Sequence, residues 1–260
     1  MTRLLKHQKG YYSVLVLEFN LHAVKIITWN CNMAYRKKAD LIALQKPDIA
    51  IIPECEEPDR LKFTADAPFP NDVLWFGNNK NKGLGVFSYT DFTFQISKVH
   101  NPDFRTILPI HVKNKKFRFT LFAIWANNSK DIKNQYIGQV WKAVNYYSSL
   151  LKNKKTLLVG DFNSNTIWDK PRRVGNHSTV VEYLEGKGIH STYHKFHKQI
   201  QGQEKHNTLF MYRHKNKPYH IDYCFASDDF IKRLSNVQVG KHMDWCKHSD
   251  HTPLIVTFND

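Results

Sequence analysis

Short apolar runs typical of buried β-strands recur along this chain, and polar clusters stand where those runs end. Ile49–Pro53 and Thr156–Gly160 are apolar runs of the kind found in strands covered on both faces, and Glu54 and Asp161 follow them directly. At the other end of the chain, Asp250-His251 precedes the apolar run Leu254–Phe258. Because strand ends meet at the edge of a sheet, this pattern predicts that carboxylates and an imidazole gather at one sheet edge.

The remaining elements interleave strands and helices without strict βαβ alternation, which predicts an α/β fold with mixed sheets. One helix is expected at Arg36–Gln45, ended by Pro47. A second, at Ile132–Leu151, has an apolar stripe with spacings of three and four, and a third is expected at Thr179–Glu185. Further strands are predicted at Val24–Trp29, Val73–Phe76, Leu84–Ser88, Phe94–Lys98, Ile107–Val112, Phe117–Trp125, Thr208–Met211 and Tyr219–Ala226.

The length of 260 residues suits one large α/β domain, which we place at residues 24–260 after an N-terminal extension at residues 1–23. Basic residues before the apolar run Tyr11–Leu17 imitate a signal peptide, but Glu18 cuts the run short and no small-residue cleavage site follows. An added strand or an over-extended gene start is favoured for this segment. No apolar stretch reaches the roughly 18 residues of a membrane span.

The net charge of the chain indicates its kind of partner, and its cysteine content indicates its cellular compartment. Lys and Arg exceed Asp and Glu by 38 − 23 = 15, with His neutral, a balance that favours polyanionic partners. A generally basic surface without such a partner is the alternative. The four cysteines show neither CxxC spacing nor the density of a disulfide framework, which fits a reduced, cytoplasmic setting.

The polar clusters carry the groups that phosphodiester hydrolysis requires, namely oxygen ligands for a divalent metal and donors for the charge on phosphorus. Each cluster alone is more often turn or loop chemistry, but five in one chain favour a site. Carboxylates are supplied by Glu54, Asp161, Asp222 and Asp250, amides by Asn30, Asn32, Asn127 and Asn163, and an imidazole by His251.

The order of the motifs WNCN, PECE, GDFN, HIDY and SDH resembles the endonuclease/exonuclease/phosphatase superfamily, which includes exonuclease III, apurinic endonucleases and deoxyribonuclease I. The resemblance extends from Val24 to Phe258. It implies a four-layer sandwich of two mixed β-sheets flanked by helices, with the site where the sheet edges converge.

The resemblance also implies a role for each motif residue. Glu54, Asn30 and Asp250 would bind Mg²⁺ or Mn²⁺, and Asp161 would orient or deprotonate the attacking water, or hold a second metal. Asn163 and Asn127 would contact the scissile phosphate. His251 would meet that phosphate while Asp222 holds the ring and favours its charged form.

The chain departs from the superfamily pattern where substrate is selected. Three residues before Asn127, where apurinic endonucleases carry a tyrosine and deoxyribonuclease I has a histidine nearby, stands Ile124, followed by Trp125. Pro53 precedes Glu54 where many relatives have a glutamine. The resemblance therefore does not by itself imply abasic-site specificity.

The sequence thus predicts a Mg²⁺- or Mn²⁺-dependent phosphodiesterase, a nuclease of endonuclease or exonuclease type acting on nucleic acid, with DNA favoured and a monomer expected. Two alternatives stay open. One is a phosphatase or phosphodiesterase of phospholipids or small phosphate esters, and the other is a nucleic-acid-binding protein with a vestigial site.

Several other features are weaker candidates for a site. His194 and His197 have zinc-compatible spacing but no evident further ligand, and Cys31 and Cys55 fit core packing better than reactivity. Two basic runs, Lys170–Arg173 and Tyr212–Lys217, are equally compatible with solvated loops and with nucleic-acid contacts, where nearby aromatic residues could stack on bases.

Overall fold

The computed structural model describes residues 23–62, 68–128 and 135–259. Most of the predicted extension, residues 1–22, lies outside the described residues. The strands are β1 Val24–Thr28, β2 Ile49–Cys55, β3 Asp72–Asn79, β4 Lys82–Ser88, β5 Thr93–Ile96, β6 Ile107–Lys113, β7 Arg118–Trp125, β8 Thr156–Asp161, β9 Ile189–Ser191, β10 Leu209–Phe210, β11 Pro218–Tyr219, β12 Asp222–Ser227, β13 Leu234–Val239 and β14 Leu254–Phe258. The α-helices are α1 Ala39–Ala43, α2 Ile137–Tyr146, α3 His177–Glu185, α4 Thr192–His197, α5 Asp228–Ile231 and α6 His242–Trp245.

Two six-stranded mixed sheets form the centre of the molecule. The first has the order β13-β14-β1-β2-β4-β3 and the second β5-β6-β7-β8-β12-β9, while β10 and β11 form a separate two-stranded ribbon. Strands β1 and β2 are parallel, as are β7 and β8, and the other sheet pairs are antiparallel. The predicted mixed-sheet architecture is confirmed.

Alternation of side chains along the strands builds three apolar layers. Ile49 and Ile51 of the first sheet pack with residues of the second, such as Leu121 and Val159, between the sheets. The intervening Ala50 and Ile52 face an outer layer that contains Ile42 of α1. On the outside of the second sheet, Phe122 and Leu158 pack with Val140 of α2 and Val180 of α3. Because strand side chains alternate between faces, continuous apolar runs fill both layers, which gives the predicted four-layer sandwich.

The first predicted helix, Arg36–Gln45, is wrong as a continuous element. A 3₁₀ turn at Tyr35–Lys37 and the short helix α1 replace it. Lys38 between them has a φ of −142°, outside the helical range. Its Nζ donates hydrogen bonds to the carbonyl oxygens of Cys31 and Met33 at 2.6 and 3.0 Å, so this residue ties the broken helix to the preceding loop.

The second predicted helix, Ile132–Leu151, is too long. Helix α2 begins at Ile137, after Tyr136 with a positive φ, and ends at Tyr146; residues 132–134 of the prediction lie outside the described part. Four residues of the predicted stripe, Val140, Val144, Tyr147 and Leu151, are at most 3% exposed, whereas Tyr136 is 37% exposed and Ile132 lies outside the described residues. The spacing therefore identified the buried face, although Tyr147 and Leu151 lie beyond the α-helix.

Other differences concern short elements near the C-terminal half. The predicted strand Tyr219–Ala226 divides into β11 and β12, because the backbone amides of Ile221 and Asp222 both donate to Thr208 Oγ1 at 3.0 Å rather than continuing one ladder. Strands β9 and β13 and helix α4 were not predicted. No helix in the described ranges is both long and apolar enough to cross a membrane.

Candidate active site

Two buried carboxylates face each other at the end of the second sheet. Asp161 is the last residue of β8, Asp222 is the first of β12, and the antiparallel register places them directly opposite one another. Both side chains have no exposed surface. Burying two acids side by side is costly unless cations or hydrogen bonds compensate them, so this pair marks a site of unusual electrostatics.

His251 joins this pair through Asp222. The ring Nδ1 lies 2.8 Å from Asp222 Oδ2, and the imidazole is almost completely buried. Burial disfavours the charged ring, but the charge of Asp222 and its hydrogen bond more than offset this and raise the pKa of His251 to about 10. At neutral pH the ring is therefore an imidazolium.

The backbone around His251 is fixed from the first sheet. Trp29, directly after β1, donates its indole N–H to the His251 carbonyl oxygen at 2.9 Å. Ser249 Oγ donates to the Asn30 carbonyl oxygen at 2.8 Å and accepts the His251 amide at 3.0 Å. These bonds connect the segment before β14 to the end of β1 in the first sheet. Because Asp222 belongs to the second sheet, residues of both sheets hold the imidazole.

Asp161 is surrounded by amide donors. Asn30 Nδ2 and Asn163 Nδ2 each donate to Oδ2 at 3.0 Å, and the Asn163 amide donates to Oδ1 at 2.8 Å. Asn163 has a positive φ, a conformation that asparagine tolerates better than most residues, and this turns its side chain back onto the strand end. Burial first, and then the neighbouring Asp222, raise the pKa of Asp161 to about 7 despite these donors and His251.

Glu54 reaches the same site from the first sheet. It has a φ of 62°, and the β2–β4 register shifts between Pro53 and Cys55, so Glu54 occupies a bulge that re-aims its side chain. Asn30 Nδ2 approaches Glu54 Oε1 at 3.4 Å as well as Asp161. Lys82 of β4 forms an ion pair with Glu54 Oε2 at 3.1 Å. Asn30 thus links carboxylates of both sheets.

Asp250 is connected to this group through Asn32. Asn32 Nδ2 donates to Asp250 Oδ1 at 2.9 Å, and the Asn32 amide donates to Asn30 Oδ1 at 3.0 Å. Asn32 has a positive φ, as do Met33 and Ala34 after it. This turn places Asn32 between Asn30 and Asp250, two of the predicted metal ligands.

Asn127 lies at the border of the site. Its Nδ2 donates to Thr106 Oγ1 at 3.3 Å, and its Oδ1 accepts from Gln139 Nε2 at 3.2 Å. The preceding Ala126 is bound closely to the site, since its amide donates to the Asp161 carbonyl oxygen and its carbonyl accepts from Asn163 Nδ2. The structure brings seven of the eight predicted residues into one hydrogen-bonded or close-packed group, and Asn127 lies next to that group.

Sequence reasoning missed three residues that build this site, namely Ser249, Thr208 and Lys82, and it listed Asn32 without its contacts. Ser249 and Asn32 belong to the recognised motifs, but nothing in the residues indicated which atoms they bridge. Thr208 binds the backbone in front of Asp222 and carries no motif signal. Lys82 carries no signal either, because its contact with Glu54 depends on the β2–β4 pairing.

The donor set fits a divalent cation. Asp161, Asp222 and His251 offer ligand atoms within 4.8 Å of one another. Asp222 Oδ1 is buried without a hydrogen-bond partner, which is a rare and costly state for a carboxylate oxygen. With Glu54 and Asp250 nearby, the oxygen-rich set matches Mg²⁺ or Mn²⁺ better than a soft metal. A protonated His251 is a poor ligand, so the carboxylates and Asn30 are the better candidates.

The weaker candidates are engaged in other contacts. His194 bonds Ser191 through Nδ1 at 2.7 Å and Glu204 through Nε2 at 3.0 Å, while His197 Nε2 lies 3.1 Å from the Val237 carbonyl oxygen. Both nitrogens of His194 are thus occupied, which speaks against zinc binding there. Burial raises the pKa of the Cys31 and Cys55 thiols well above their usual range, as expected for inert core residues.

The basic runs lie on the surface of the described structure. Arg172 is exposed, and Tyr212 is exposed with the ammonium of Lys217 5.5 Å from its ring centroid. Trp168 packs on Tyr219 with ring centroids 4.9 Å apart and stays 43% exposed. Nucleic-acid contact by these runs remains a prediction.

Solved structures with the same architecture are known. An AP endonuclease from Archaeoglobus fulgidus has a TM-score of 0.63 at 18% identity, covering 90% of this chain and 99% of its own. An AP endonuclease from Leishmania major has a TM-score of 0.68 at 13% identity, with 92% and 88% covered. A 3′-5′ exonuclease from Neisseria meningitidis has a TM-score of 0.60 at 20% identity, with 91% and 100% covered.

The chain has the fold of these nucleases. No protein-family model and no curated protein sequence matches it. The likeness at 13–20% identity concerns the fold, and it agrees with the superfamily that the motifs indicated. This fold explains why residues from five motifs converge, since both sheets deliver strand ends to the same side.

Within this fold, the departure expected at Ile124 has a structural consequence. Ile124 is fully buried in the outer layer with Phe122 and Val140, so it cannot meet a substrate. The neighbouring Trp125 is only 8% exposed, and the Lys82 ammonium lies 5.3 Å from its ring centroid. Lys82 and Trp125 therefore border the region where substrate selection was expected.

Proposed function

We propose that this protein is a divalent-metal-dependent phosphodiester hydrolase that cleaves DNA. The observation that carries the proposal is the pairing across β8 and β12. It places an Asp222–His251 ion pair beside Asp161, which Asn30 connects to Glu54. Attack of water on the phosphodiester gives a pentacoordinate phosphate dianion. A bound cation on one side and an imidazolium on the other would stabilise its negative charge.

Glu54, Asn30, Asp161 and Asp250 are the residues we assign to Mg²⁺ or Mn²⁺. The bound ion would act as a Lewis acid on a phosphoryl oxygen and lower the pKa of a bound water. The high pKa of Asp161 in the metal-free protein supports this assignment, because a nearby cation would favour its carboxylate form.

The remaining residues act on the phosphate and the attacking water. The imidazolium of His251 donates through Nε2 to a phosphate oxygen, while Asp222 holds Nδ1 and keeps the ring charged. Asp161 accepts a proton from the attacking water once its own carboxyl group is ionised. The amides of Asn163 and Asn127 orient the phosphate without adding negative charge.

Replacing Glu54 with glutamine is expected to weaken metal affinity and lower turnover, with partial recovery at high Mn²⁺. The change removes one charged oxygen ligand from a sparse donor set and also releases Lys82. Isothermal titration calorimetry with Mn²⁺ measures the affinity. Glu57→Gln, which breaks an ion pair with the exposed Lys80 just after the end of β2, is the matched control. Unchanged Mn²⁺ affinity in Glu54→Gln would remove Glu54 from the ligand set.

A substrate panel tests the proposed function against its alternatives. Plasmid, linear duplex, single strand, abasic duplex, RNA, phosphoinositide and a chromogenic diester are each incubated with Mg²⁺, Mn²⁺ or EDTA. Metal-dependent cleavage of DNA supports the proposal, and the product ends distinguish endonuclease from exonuclease action. Cleavage of lipid or small esters alone would support a phosphatase, and DNA binding without any cleavage would indicate a vestigial site.

The proposal also covers the cellular compartment, the oligomeric state and the partner of the protein. The four cysteines are free and buried, which supports a reducing compartment such as the cytoplasm. We also propose that the protein acts as a monomer, because the site residues of a single copy form one connected group. The charge of +15 supports a nucleic-acid partner.

A further inference from the structure

The tetrapeptide Lys-Asn-Lys-Lys occurs twice in the chain, each time just before a strand of the second sheet. The first copy, residues 113–116, connects β6 to β7, and the second, residues 152–155, precedes β8. Because β7 and β8 are parallel neighbours, both copies lie at the same end of the sheet. The Thr120 amide donates to the Lys155 carbonyl oxygen at 2.9 Å, and Asn153 Nδ2 donates to Thr120 Oγ1 at 3.1 Å. These bonds hold the two basic segments together.

This end of the second sheet carries positive charge that no ion pair compensates. We call its cations the KNKK surface, which consists of Lys113, Lys115, Lys116, Arg118, Lys152, Lys154 and Lys155. Six of the seven residues are exposed, and within the described residues no ion pair engages any of the seven. Lys113 and Arg118 stand directly opposite one another in the β6–β7 register, where like charges repel. Asp91 contacts the segment through the Asn114 amide at 2.9 Å and not through a cation.

A hollow of about 390 Å³ lies within the KNKK surface. It is lined by Gln95, His111, Lys113, Arg118, Thr120, Asn153 and Lys155, together with Val112 and Phe119. Val112 and Phe119 pack between the sheets, so their strand neighbours Lys113 and Arg118 project from the outer face of the second sheet. Helices α2 and α3 cover this outer face farther along the strands, and none of their residues lines the hollow. A guanidinium flanked by two ammonium groups in an open hollow is suited to a phosphate group.

The hollow is remote from the candidate active site. Arg118 begins β7 and Trp125 ends it, and with a rise of about 3.3 Å per residue these ends are roughly 23 Å apart. Phe122, midway between them, is covered by α2 on the outer face. A straight duplex bound in the hollow is therefore blocked by the helices from also reaching Asp161. Because a DNA duplex is stiff over about 150 bp, a short one cannot bend around them.

We propose that the KNKK surface is a second nucleic-acid site, which binds the phosphates of one duplex segment while the candidate active site holds another. The inference rests on the proposed function for the identity of the polyanion, and it extends that function because it gives the protein two separate points of attachment. A second site of this kind retains the protein on a long polynucleotide when the active site releases it. An anionic membrane is a poorer match, because none of the large apolar side chains exposed in the described structure belongs to residues 113–118 or 152–155.

The experiment asks whether one protein bridges two short duplexes. A biotinylated duplex of about 20 bp on streptavidin beads is incubated in EDTA with the full-length protein and a fluorescein-labelled duplex of the same length, and the captured fluorescence is measured. Wild type should capture the labelled duplex, and the captured amount should fall steeply as salt is raised. For Lys113→Gln/Arg118→Gln we expect roughly tenfold less capture, because both cations at the hollow are lost. Its metal-dependent cleavage of the short duplex at saturating concentration should be unchanged.

The chain offers a charge-matched control on another element. Lys195 of α4 and Lys198 directly after it are exposed, and neither lines the hollow or contacts the candidate active site. Lys195→Gln/Lys198→Gln removes the same two charges and should capture the labelled duplex as wild type does. Because Lys113 and Arg118 repel one another across the β6–β7 pair, their double variant should have a thermal midpoint at least as high as that of wild type. Loss of capture then cannot be attributed to unfolding.

Each other outcome has a defined meaning. If wild type cleaves the duplex but captures no second one, or if Lys113→Gln/Arg118→Gln captures it as well as wild type, the inference is wrong while the proposed function stands. If capture depends on Lys113 and Arg118 but no metal supports cleavage, the proposed function fails and the second nucleic-acid site is retained. If this double variant loses sedimentation with phosphatidylserine vesicles and keeps duplex capture, the KNKK surface is a membrane site and the inference is overturned.

Discussion

Replacing His251 with alanine is expected to reduce turnover by roughly 10²–10⁴-fold, the range of a positioned acid–base or charge-stabilising group. The substitution removes the imidazolium that Asp222 holds at 2.8 Å and leaves a buried carboxylate without its cation. Single-turnover kinetics on duplex DNA measure the effect. Circular dichroism and the thermal midpoint establish that the variant is folded, and His194→Ala, which breaks another, half-buried His–carboxylate pair, is the matched control.

The same experiment extends to Asp222. Asp222→Asn keeps the shape of the side chain but removes the charge that raises the pKa of His251, so the ring becomes neutral at a lower pH. Its rate should therefore fall, and most strongly at alkaline pH. The double variant should be little slower than the slower single variant, because residues that act as a unit are not additive. Fully multiplicative losses would show that the two side chains work separately.

Replacing Asp161 with asparagine is expected to reduce turnover by a similar factor, roughly 10²–10⁴-fold, since the variant loses the group that we assign to proton transfer and metal binding. Asparagine has nearly the same shape, so β8 and the bonds from Asn163 to Ala126 should persist. The exposed Asp59→Asn variant controls for loss of a negative charge. Wild-type turnover in Asp161→Asn would assign proton transfer to another group.

Asp161→Asn should also change the pH dependence of stability in metal-free buffer. Burial, and then the neighbouring Asp222, raise the pKa of Asp161 to about 7, above the usual range of a carboxyl group, so between about 4 and about 7 the folded state holds a proton that the unfolded state lacks. Stability therefore falls as pH rises from about 4 to about 7, by up to about 4 kcal/mol in total. The variant lacks this dependence, so its stability relative to wild type should increase across that window. Urea unfolding at pH 4.5, 6 and 7.5 tests this, and a constant difference would contradict it.

The sequence predicted the sheets more accurately than the helices, for a physical reason. A strand buried on both faces needs an apolar run, and Ile49–Pro53 shows one directly. A helix boundary depends on the local backbone conformation, which the spacing of apolar residues does not predict. Lys38 interrupts the first helix by reaching back to Cys31 and Met33, and Tyr136 delays the second. The predicted burial from Val140 to Leu151 was nevertheless correct, because it depends only on which side chains face the sheet.

The candidate site was predictable as a set of motifs but not as a network. Glu54, Asp161 and His251 each stand at a strand end, which sequence alone indicates. The bulge that re-aims Glu54 and the register that opposes Asp161 to Asp222 arise only from strand pairing. Lys82 comes from a segment without a motif, so the β2–β4 pairing alone brings it to the site.

The most direct test of the account is the cleavage rate of an end-labelled DNA duplex by wild type and His251→Ala, each with Mg²⁺ and with EDTA. The account predicts cleavage by wild type with Mg²⁺, loss of that cleavage in EDTA, and a rate at least 10²-fold lower for His251→Ala with Mg²⁺. Wild-type cleavage that persists in EDTA, or that His251→Ala reproduces with Mg²⁺, would contradict it.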